Sequence, residues 1–348
     1  MKKLSCSNPE CTSHGESGAA KIAPYGSYKT RAGKRRRYRC DQCVTTFNST
    51  KDTPYYRLQH RRVTFDEVAA LSVEGVNKSA ISRVKGISWN TVHRWLERAA
   101  ASCRRFTEKT TTGLEISELQ ADELCTYVGK KEKSTWIFTA LDVWSRFWPA
   151  TVVGRRSYRN TLALFRKVSQ QSDPQRRLLI VTDGFEFYEK VVRQVFAPAC
   201  LYAQVLKTRR KDRIIKVERR RVIGSAKEFE HALLESEDSS TLNTSFIERL
   251  NLTLRQATSY LTRRTTCHAR MKEYLENQLE IVRCHYNFLR PHRALQFGSE
   301  TRTPAMQAGL VSRRISFREI FTFGFISVFF ERIKFLIGWV VISRARET

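Results

Sequence analysis

The middle of the chain alternates between strand-like and helix-like patterns of apolar residues. Leu119–Val128 alternates apolar and polar positions, which predicts a half-buried strand, and Leu178–Thr182 is a continuous apolar run, which predicts a buried one. The other predicted elements are strands at Ser134–Leu141 and Phe147–Val153, a helix at Arg159–Ser169, a helix at Phe187–Phe196, a strand at Leu201–Leu206 and a helix at Phe246–Tyr260. This pattern predicts a mixed α/β domain over residues 119–310.

Three acidic residues occupy places in this pattern that suit one chemistry. Three antiparallel strands followed by helix, strand, helix, strand and later helices is the order of a ribonuclease H-like domain. Asp122, on the first strand, and Asp183, after the buried strand, are both predicted at strand ends, and Glu248 lies on the last helix. Carboxylates are hard ligands that suit Mg²⁺ or Mn²⁺. A pair of such ions cuts and joins phosphodiester bonds by activating water or a 3′-hydroxyl and stabilising the leaving oxygen.

Each of these acids also has a simpler interpretation. Glu123 is an alternative ligand beside Asp122, although alternation along a strand sends the two side chains to opposite faces, so only one is expected at the site. Asp183 could form an ordinary Asp-Gly turn, and Glu248 could pair with an arginine on its own helix. Asp142 fits the turn after the second strand and is not expected to be a ligand.

A helical region precedes the α/β domain. Phe65–Val73 and Lys78–Lys85 are predicted helices, and a third one runs over Trp89–Ala100 with Ser88 as its N-cap. Gly86 separates the second helix from the third, as in a helix-turn-helix. The other interpretation is a plain helical hairpin. The residues of the third helix expected to contact DNA, because they face away from its apolar stripe, are Trp89, Asn90, His93 and Arg94.

Four cysteines near the N-terminus are spaced as metal ligands. Cys6 and Cys11 form one pair, and Cys40 and Cys43 form the second. Two such pairs about thirty residues apart predict a tetrahedral structural zinc site, in which the metal replaces a hydrophobic core. His14 is an alternative ligand to Cys11, and free structural thiols are the other interpretation.

The charge balance indicates a polyanionic partner. The 348 residues include 62 Lys+Arg against 34 Asp+Glu, a net charge of +28. Basic residues concentrate at Tyr28–Arg39 and Lys207–Arg221, although any single run of this kind can be solvated surface. The N-terminus shows no apolar signal-peptide core, so we expect a cytoplasmic, nucleoid-associated protein. The residues of the second run expected to contact the DNA backbone are Lys207, Arg209, Arg210 and Lys211.

Taken together, these features resemble the DDE transposases of bacterial and archaeal insertion sequences, and the insertion-sequence-one group most of all. The segments that carry the resemblance are the paired cysteines, Gly86–Leu96, Ala121–Leu124, Leu141–Arg146, Thr182–Gly184, Phe246–Asn251 and Tyr286–Leu295. The resemblance covers about residues 1–310. It implies that Asp122, Asp183 and Glu248 are the catalytic triad and that Mg²⁺ is the cofactor. It also implies that terminal inverted repeats are the DNA partner and that a multimer assembles on paired DNA ends.

The C-terminal tail departs from this family pattern. Ile320–Ile342 is apolar and aromatic, but Glu331, Arg332 and Lys334 interrupt it. A membrane span needs about twenty mostly apolar residues with few or no charges, so we expect no membrane partner. An interfacial helix, an oligomerisation segment and read-through at the end of an element stay open as interpretations.

These predictions divide the chain into five segments. They are a zinc ribbon at 1–60, a helix-turn-helix at 61–105, a linker at 106–118, a ribonuclease H-like domain at 119–310 and an apolar basic tail at 311–348. The predicted function is a transposase that binds the inverted-repeat ends of its element and performs metal-dependent cleavage and strand transfer. Its partners are double-stranded DNA, both ends and target, and further copies of itself. The alternative is a zinc-ribbon and helix-turn-helix DNA-binding regulator with an inactive catalytic domain.

Overall fold

The N-terminal part of the protein is a small antiparallel sheet. The computed structural model describes residues 6–14, 22–132, 134–173, 177–211, 213–236 and 238–323. Strands β1 (Ile22–Thr30), β2 (Gly33–Cys40) and β3 (Thr46–Asn48) pair in the order β1-β2-β3. Most of their side chains are exposed, and the buried apolar cluster of this part is small, comprising Cys6, Cys11, Cys40 and Phe47. So little buried surface indicates that this sheet needs a further source of stability.

Three helices follow: α1 (Arg62–Val73), α2 (Lys78–Lys85) and α3 (Trp89–Thr110). The helix boundary predicted at Gly86 is confirmed, since this residue ends α2 with a φ of +62° and the Ser88 hydroxyl accepts a hydrogen bond from the amide of Thr91 at 3.2 Å. Helix α3 is longer than predicted and continues into the segment 106–118. The buried side chains of Phe106 and Thr107 pack this last part against the protein core.

The centre of the protein is a six-stranded mixed sheet in the order β6-β5-β4-β7-β8-β9. Its strands are β4 (Glu118–Tyr127), β5 (Ser134–Asp142), β6 (Thr151–Gly154), β7 (Leu178–Thr182), β8 (Cys200–Arg210) and β9 (Arg213–Ile223). Strands β4 and β7 pair in parallel, as do β7 and β8, whereas the other neighbours pair antiparallel. This is the predicted three-stranded meander, extended by crossover strands, and it fits a ribonuclease H-like domain.

Helices cover both faces of the sheet. They are α4 (Tyr158–Gln171), α5 (Glu186–Phe196), α6 (Ala226–Leu234) and α7 (Ser245–Ala257). Asp122 and Glu123 are neighbours on β4 and therefore point to opposite faces. Asn251 of α7 contacts Asp122, and Tyr188 of α5 contacts Glu123, so α7 and α5 lie on opposite sides of the sheet.

Strand β9 was not predicted, and β8 is longer than predicted. The predicted fifth strand ends at Leu206, but β8 continues to Arg210, and the chain turns back into the eleven-residue β9. The cause is exposure, because nine of the eleven side chains of β9 are exposed. A strand without a buried face has no alternation of apolar and polar residues to reveal it.

The C-terminal part packs against both halves of the protein. Helix α8 (Lys272–Cys284) continues into a π-helical turn at His285–Leu289 and runs beside α3. Short elements complete the described chain: a 3₁₀ turn at Arg293–Leu295, β10 (Gln296–Phe297), β11 (Glu300–Thr301), α9 (Pro304–Gln307) and α10 (Phe317–Phe321).

Residues 311–323, which were predicted to be part of a separate tail, pack into the main core. Phe321 lies edge-on to Tyr55 and Phe65, and Arg318 donates to the Asp66 carboxylate of α1 at 2.7 Å. The rest of the predicted tail, including most of Ile320–Ile342, lies outside the described residues. Within the described ranges, no helix is both long and apolar enough to cross a bilayer.

The first prediction concerns this C-terminal contact. We expect Phe321→Ala to lower the free energy of unfolding by about 3–5 kcal/mol, because it removes a fully buried ring from the core shared with α1. Urea denaturation measures the change. Leu234→Ala is the control, since Leu234 is 85% exposed and should change stability by less than about 0.5 kcal/mol. Equal stability of Phe321→Ala and the wild type would show that residues 311–323 do not contribute to the core.

Candidate active site

The register between β4 and β7 brings two of the predicted acids together. Ala121 is the partner of Thr182 in this parallel pair. The next residue on each strand is an aspartate, so Asp122 and Asp183 lie side by side where β7 ends. Asp122 was predicted at a strand end, but it lies inside β4, and the strand that ends at this level is β7. A carboxylate oxygen of each lies within 4.8 Å of the other.

Both aspartates are half-buried and have defined partners. Asp122 accepts hydrogen bonds from the side-chain amide of Asn251 at 2.7 Å and from the backbone amide of Glu123 at 2.8 Å. Asp183 accepts one from the amide of Phe185 at 3.0 Å. Burial first, and then the Asp183 charge, raise the pKa of Asp122 to about 7. Burial also raises the pKa of Asp183. Two close carboxylates in such a place favour a bound cation or proton.

The glycine after Asp183 has a steric reason. A Cβ on Gly184 would lie 2.4 Å from a methyl carbon of Leu206 on the neighbouring strand β8. The absence of a side chain lets the loop after β7 pass close to β8 and keeps Asp183 at the edge of the sheet.

Glu123 belongs to the same carboxylate cluster but is held differently. Its ligand atom lies within 4.8 Å of those of Asp122 and Asp183. On the opposite face of the sheet, however, its Oε1 accepts from Arg156 Nε at 2.9 Å, and its Oε2 accepts from the Tyr188 hydroxyl at 2.6 Å. Both oxygens are thus engaged by protein donors. Glu123 stands as the competitor of Glu248 for the third ligand position.

Glu248 lies on the other wall of the same cleft, in the first turn of α7. Its carboxylate forms an ion pair with Lys207 and accepts a hydrogen bond from the Thr244 hydroxyl at 2.7 Å. Its charge contributes to the raised pKa values of both aspartates. Glu248 is thus near the pair, while its negative charge is neutralised by a lysine from β8.

Asp122, Asp183 and Glu248 line an open cleft of about 460 Å³. The other lining residues are Gly184, Val205, Leu206, Lys207, Thr208 and Thr244. Asp142 lies elsewhere and has a structural role, because its Oδ2 accepts from the backbone amide of Ser145 at 3.0 Å in the turn after β5. Burial raises the pKa of Asp142 to about 6.

The four N-terminal sulfurs form a compact cluster. The Sγ atoms of Cys6 and Cys43 are 3.5 Å apart, those of Cys11 and Cys40 are 4.0 Å apart, and all four lie within 4.8 Å of one another. A zinc ion with tetrahedral bonds of about 2.3 Å places its sulfurs roughly 3.8 Å apart. Hydrogen bonds from Thr45 lower the pKa of Cys43 to about 6, which favours a thiolate, whereas burial raises the pKa of Cys6 to about 12. The arrangement is compatible with a zinc ribbon.

His14 does not join this cluster. Its Nδ1 lies 3.0 Å from the carbonyl oxygen of Cys6, while the Cys11 sulfur is one of the four that converge.

The residues predicted to contact DNA differ in how accessible they are. Trp89, Asn90 and Arg94 are exposed on α3. His93 is half-buried, because its ring lies 4.5 Å from that of Tyr274 on α8 and its Nδ1 lies 2.8 Å from the Lys78 ammonium. Burial, and then Lys78, lower the pKa of His93. In this arrangement His93 packs α3 against α8.

The predicted contacts on β8 also fall into two groups. Lys207 lines the cleft, whereas Arg210 and Lys211 are exposed at the far end of the β8–β9 hairpin. The side chain of Arg209 lies outside the described part of the structure.

Comparison with known families supports this picture at a coarser level. A family model described as a DDE domain, of the IS240 group of transposases, matches residues 117–220. The match includes Asp122 and Asp183 and ends before Glu248. It supports a DDE transposase family, and with it a nuclease-type transposase enzyme and a DNA substrate, but it does not confirm the insertion-sequence-one group. No curated protein matches the chain.

Three residues that contact the acids of the site were not predicted from the sequence. Asn251 orients Asp122, Arg156 holds Glu123, and Thr244 donates to Glu248. Asn251 had a local signal, since it follows Glu248 by three positions and therefore shares its side of the helix. Arg156 and Thr244 act through tertiary contacts that no local pattern reveals.

The second prediction concerns the pH dependence of metal binding. A divalent ion must displace the proton from Asp122, whose pKa is raised to about 7. We expect Mn²⁺ affinity, measured by titration calorimetry, to rise by up to about tenfold per pH unit between roughly pH 5 and 7 and to level off above. Asp122→Asn should bind weakly and lose most of this slope. An affinity of the wild type that is constant over the same range would contradict the prediction.

Proposed function

We propose that this protein is a DDE transposase that cleaves DNA at the inverted-repeat ends of its element and joins the ends to target DNA. One observation carries the proposal. The parallel register of β4 and β7 places Asp122 beside Asp183 in an open cleft, and Glu248 approaches from the helix on the same side of the sheet. This is an arrangement that suits two-metal phosphodiester chemistry.

The donor set fits Mg²⁺ or Mn²⁺. We infer that Asp122, Asp183 and Glu248 hold the ions, since oxygen ligands from a few carboxylates are what Mg²⁺ takes beside substrate phosphates. When bound, such ions supply an activated hydroxyl and neutralise the leaving oxygen. Asn251 fixes the orientation of Asp122 through its 2.7 Å hydrogen bond. A partner of this kind around a metal ligand typically affects metal affinity or activity by about 10–100-fold.

Lys207 has a double role in this proposal. Its ammonium neutralises Glu248 and also donates to the Thr244 hydroxyl at 3.0 Å. A phosphate of the DNA backbone offers the same ammonium a stronger, charge-assisted partner. Movement of Lys207 from Glu248 to the phosphate frees the third carboxylate while the substrate binds.

DNA recognition is proposed for two N-terminal modules. The cysteine cluster would hold a structural Zn²⁺, and α2 with α3 would act as a helix-turn-helix that presents Trp89, Asn90 and Arg94 to the element ends. We further infer that copies of the protein assemble on paired ends. A regulator with an inactive catalytic domain is disfavoured, because the folded chain assembles the acidic cleft rather than scattering its acids.

The third prediction tests the triad. We expect Asp183→Asn and Glu248→Gln each to lower Mg²⁺-dependent strand transfer by at least about a hundredfold, because each removes a proposed ligand. The measurement is a strand-transfer assay with labelled ends of the element. Glu235→Gln, a change at an exposed acid, is the control and should keep full activity. If Glu123→Gln abolishes transfer and Glu248→Gln does not, Glu123 replaces Glu248 in the assignment.

The fourth prediction tests the cysteine cluster. The metal content of purified wild type should exceed that of Cys40→Ser by about one equivalent of zinc per chain. Cys125→Ser, a change at an exposed cysteine outside the cluster, is the matched control and should keep its zinc. Equal zinc in the wild type and Cys40→Ser would remove the zinc ribbon from the proposal.

A further inference from the structure

The outer half of the β8–β9 hairpin is a free two-stranded ribbon. Strand β7 leaves β8 at the pair Thr182 and Gln204, so beyond Gln204 β8 has β9 as its sheet partner. The ribbon starts at the catalytic cleft, because Val205, Leu206, Lys207 and Thr208 line that cleft. Its far end therefore projects from the sheet next to the proposed site of DNA cleavage.

Three apolar side chains on this ribbon face solvent. Ile214 is 47% exposed, Ile215 is 60% exposed and Val217 is 41% exposed. Their neighbours Arg213, Lys216, Arg219, Arg220 and Arg221 on the same strand are basic. These three residues form an exposed apolar strip bordered by positive charge. Exposed apolar patches bordered by charged residues mark contact surfaces.

The strip lies on the side of the ribbon that faces the acids. Val217 pairs with Lys207, and Ile214 pairs with Arg209. Cross-strand partners and alternate residues share a face, so Ile214 and Val217 lie on the face of Lys207, whose ammonium contacts Glu248. The register shifts between Thr208 and Arg209, which leaves Ile215 as the additional residue of a bulge. Bulges re-aim side chains and occur beside active sites.

The distance from the cleft matches the spacing of bases. Ile214 is opposite a residue two positions beyond Lys207, which is about 7 Å along a strand. Successive base pairs of duplex DNA lie about 3.4 Å apart along the helix axis. A DNA phosphate at Lys207 thus places the isoleucines about two base pairs farther along the duplex.

The positive charge of β9 indicates which kind of partner can bind over the apolar strip. Strand β9 is the edge of the sheet and bears five basic side chains against one glutamate, Glu218. Edge pairing with a second copy of this chain brings two such rows of positive charge together, which opposes it. A polyanion has the complementary charge.

We propose that the β8–β9 ribbon is a wedge that opens the DNA duplex close to the bond to be cleaved, with Ile214 and Ile215 packed against unstacked bases and the neighbouring basic side chains on the phosphates. The inference rests on the proposed function for its DNA substrate. Aliphatic side chains have no donor or acceptor with which to read a base edge, whereas isoleucine between base steps unstacks and kinks a duplex. Removing an isoleucine from water releases free energy comparable to that needed to unstack one base step.

The test compares two DNA probes. One is a labelled duplex, and the other has the same length and sequence except for a central bubble of about three mismatched pairs. We expect the wild-type protein to bind the bubble about tenfold more tightly or better, because opening has already occurred in that probe. Fluorescence anisotropy at fixed salt measures both affinities.

The decisive variant is Ile214→Thr with Ile215→Thr, which keeps β-branched residues and so preserves strand formation. It should lose the preference for the bubble and keep its affinity for the paired duplex within about twofold, since every phosphate-binding charge remains. Leu234→Ser is the matched control, a change at an exposed apolar residue of α6 away from the ribbon, and should keep the preference. Melting temperatures confirm that all three proteins are folded.

Each contrary outcome has a distinct meaning. Equal affinity of the wild type for both probes overturns the wedge and leaves the transposase proposal standing. A preference that persists in the double Thr variant also overturns the wedge, including the case in which sedimentation shows that the variant loses a self-association. Failure of the wild type to bind either probe overturns both proposals.

Discussion

The parallel pairing of β4 with β7 is the constraint on which the site depends. It sets Asp122 beside Asp183 in a partly desolvated place, where two like charges repel. Nearby groups reduce this repulsion. Asn251 donates to Asp122, and Lys207 neutralises the third acid, Glu248, on the opposite wall. Burial raises the pKa of Asp122 to about 7, so that a proton can neutralise it. A site that is unfavourable for its own charges is one that gains from binding cations. The cost is thus concentrated where a metal and a phosphate backbone can offset it.

Much of this fold could be predicted from local pattern, and the failures share one cause. The meander, the buried strand β7 and the helix around Glu248 each have an apolar period that local physics enforces. Strand β9 has no buried face and therefore no period. The core position of residues 311–323 was missed because it depends on contacts with α1, such as that between Arg318 and Asp66, which lie far apart in sequence. For the site, alternation predicted that Asp122 and Glu123 point to opposite faces, but their carboxylates still lie within 4.8 Å of each other. Alternation also could not show that Lys207 pairs with Glu248, 41 positions away in the sequence.

Glu123 and Glu248 show how hydrogen-bond partners distinguish two acids that lie near the same aspartate pair. Glu123 is nearer to the aspartate pair. However, Tyr188 of α5 and Arg156 donate hydrogen bonds to both of its oxygens from the other face of the sheet. Releasing it would leave a buried tyrosine hydroxyl without its acceptor. Glu248 is half-exposed and held by a flexible lysine side chain, so its release disturbs little of the core. The acid that is freer to move is therefore the better candidate for a ligand that is recruited when substrate binds.

The helical module and the cleft are joined by packing rather than by a flexible linker. One apolar core contains residues of α1 and α3 together with those of α7 and α8, and α3 continues without a break to Thr110. Lys78 of α2 lies 4.8 Å from the ring of Tyr274, and His93 in the first turns of α3 contacts the same ring, so this end of α3 is fixed on α8. Exposed Asn90 and Arg94 then stand at a set distance from the acids. DNA bound to this helix would reach the cleft in a register determined by the fold, which is what cleavage at one defined phosphate requires.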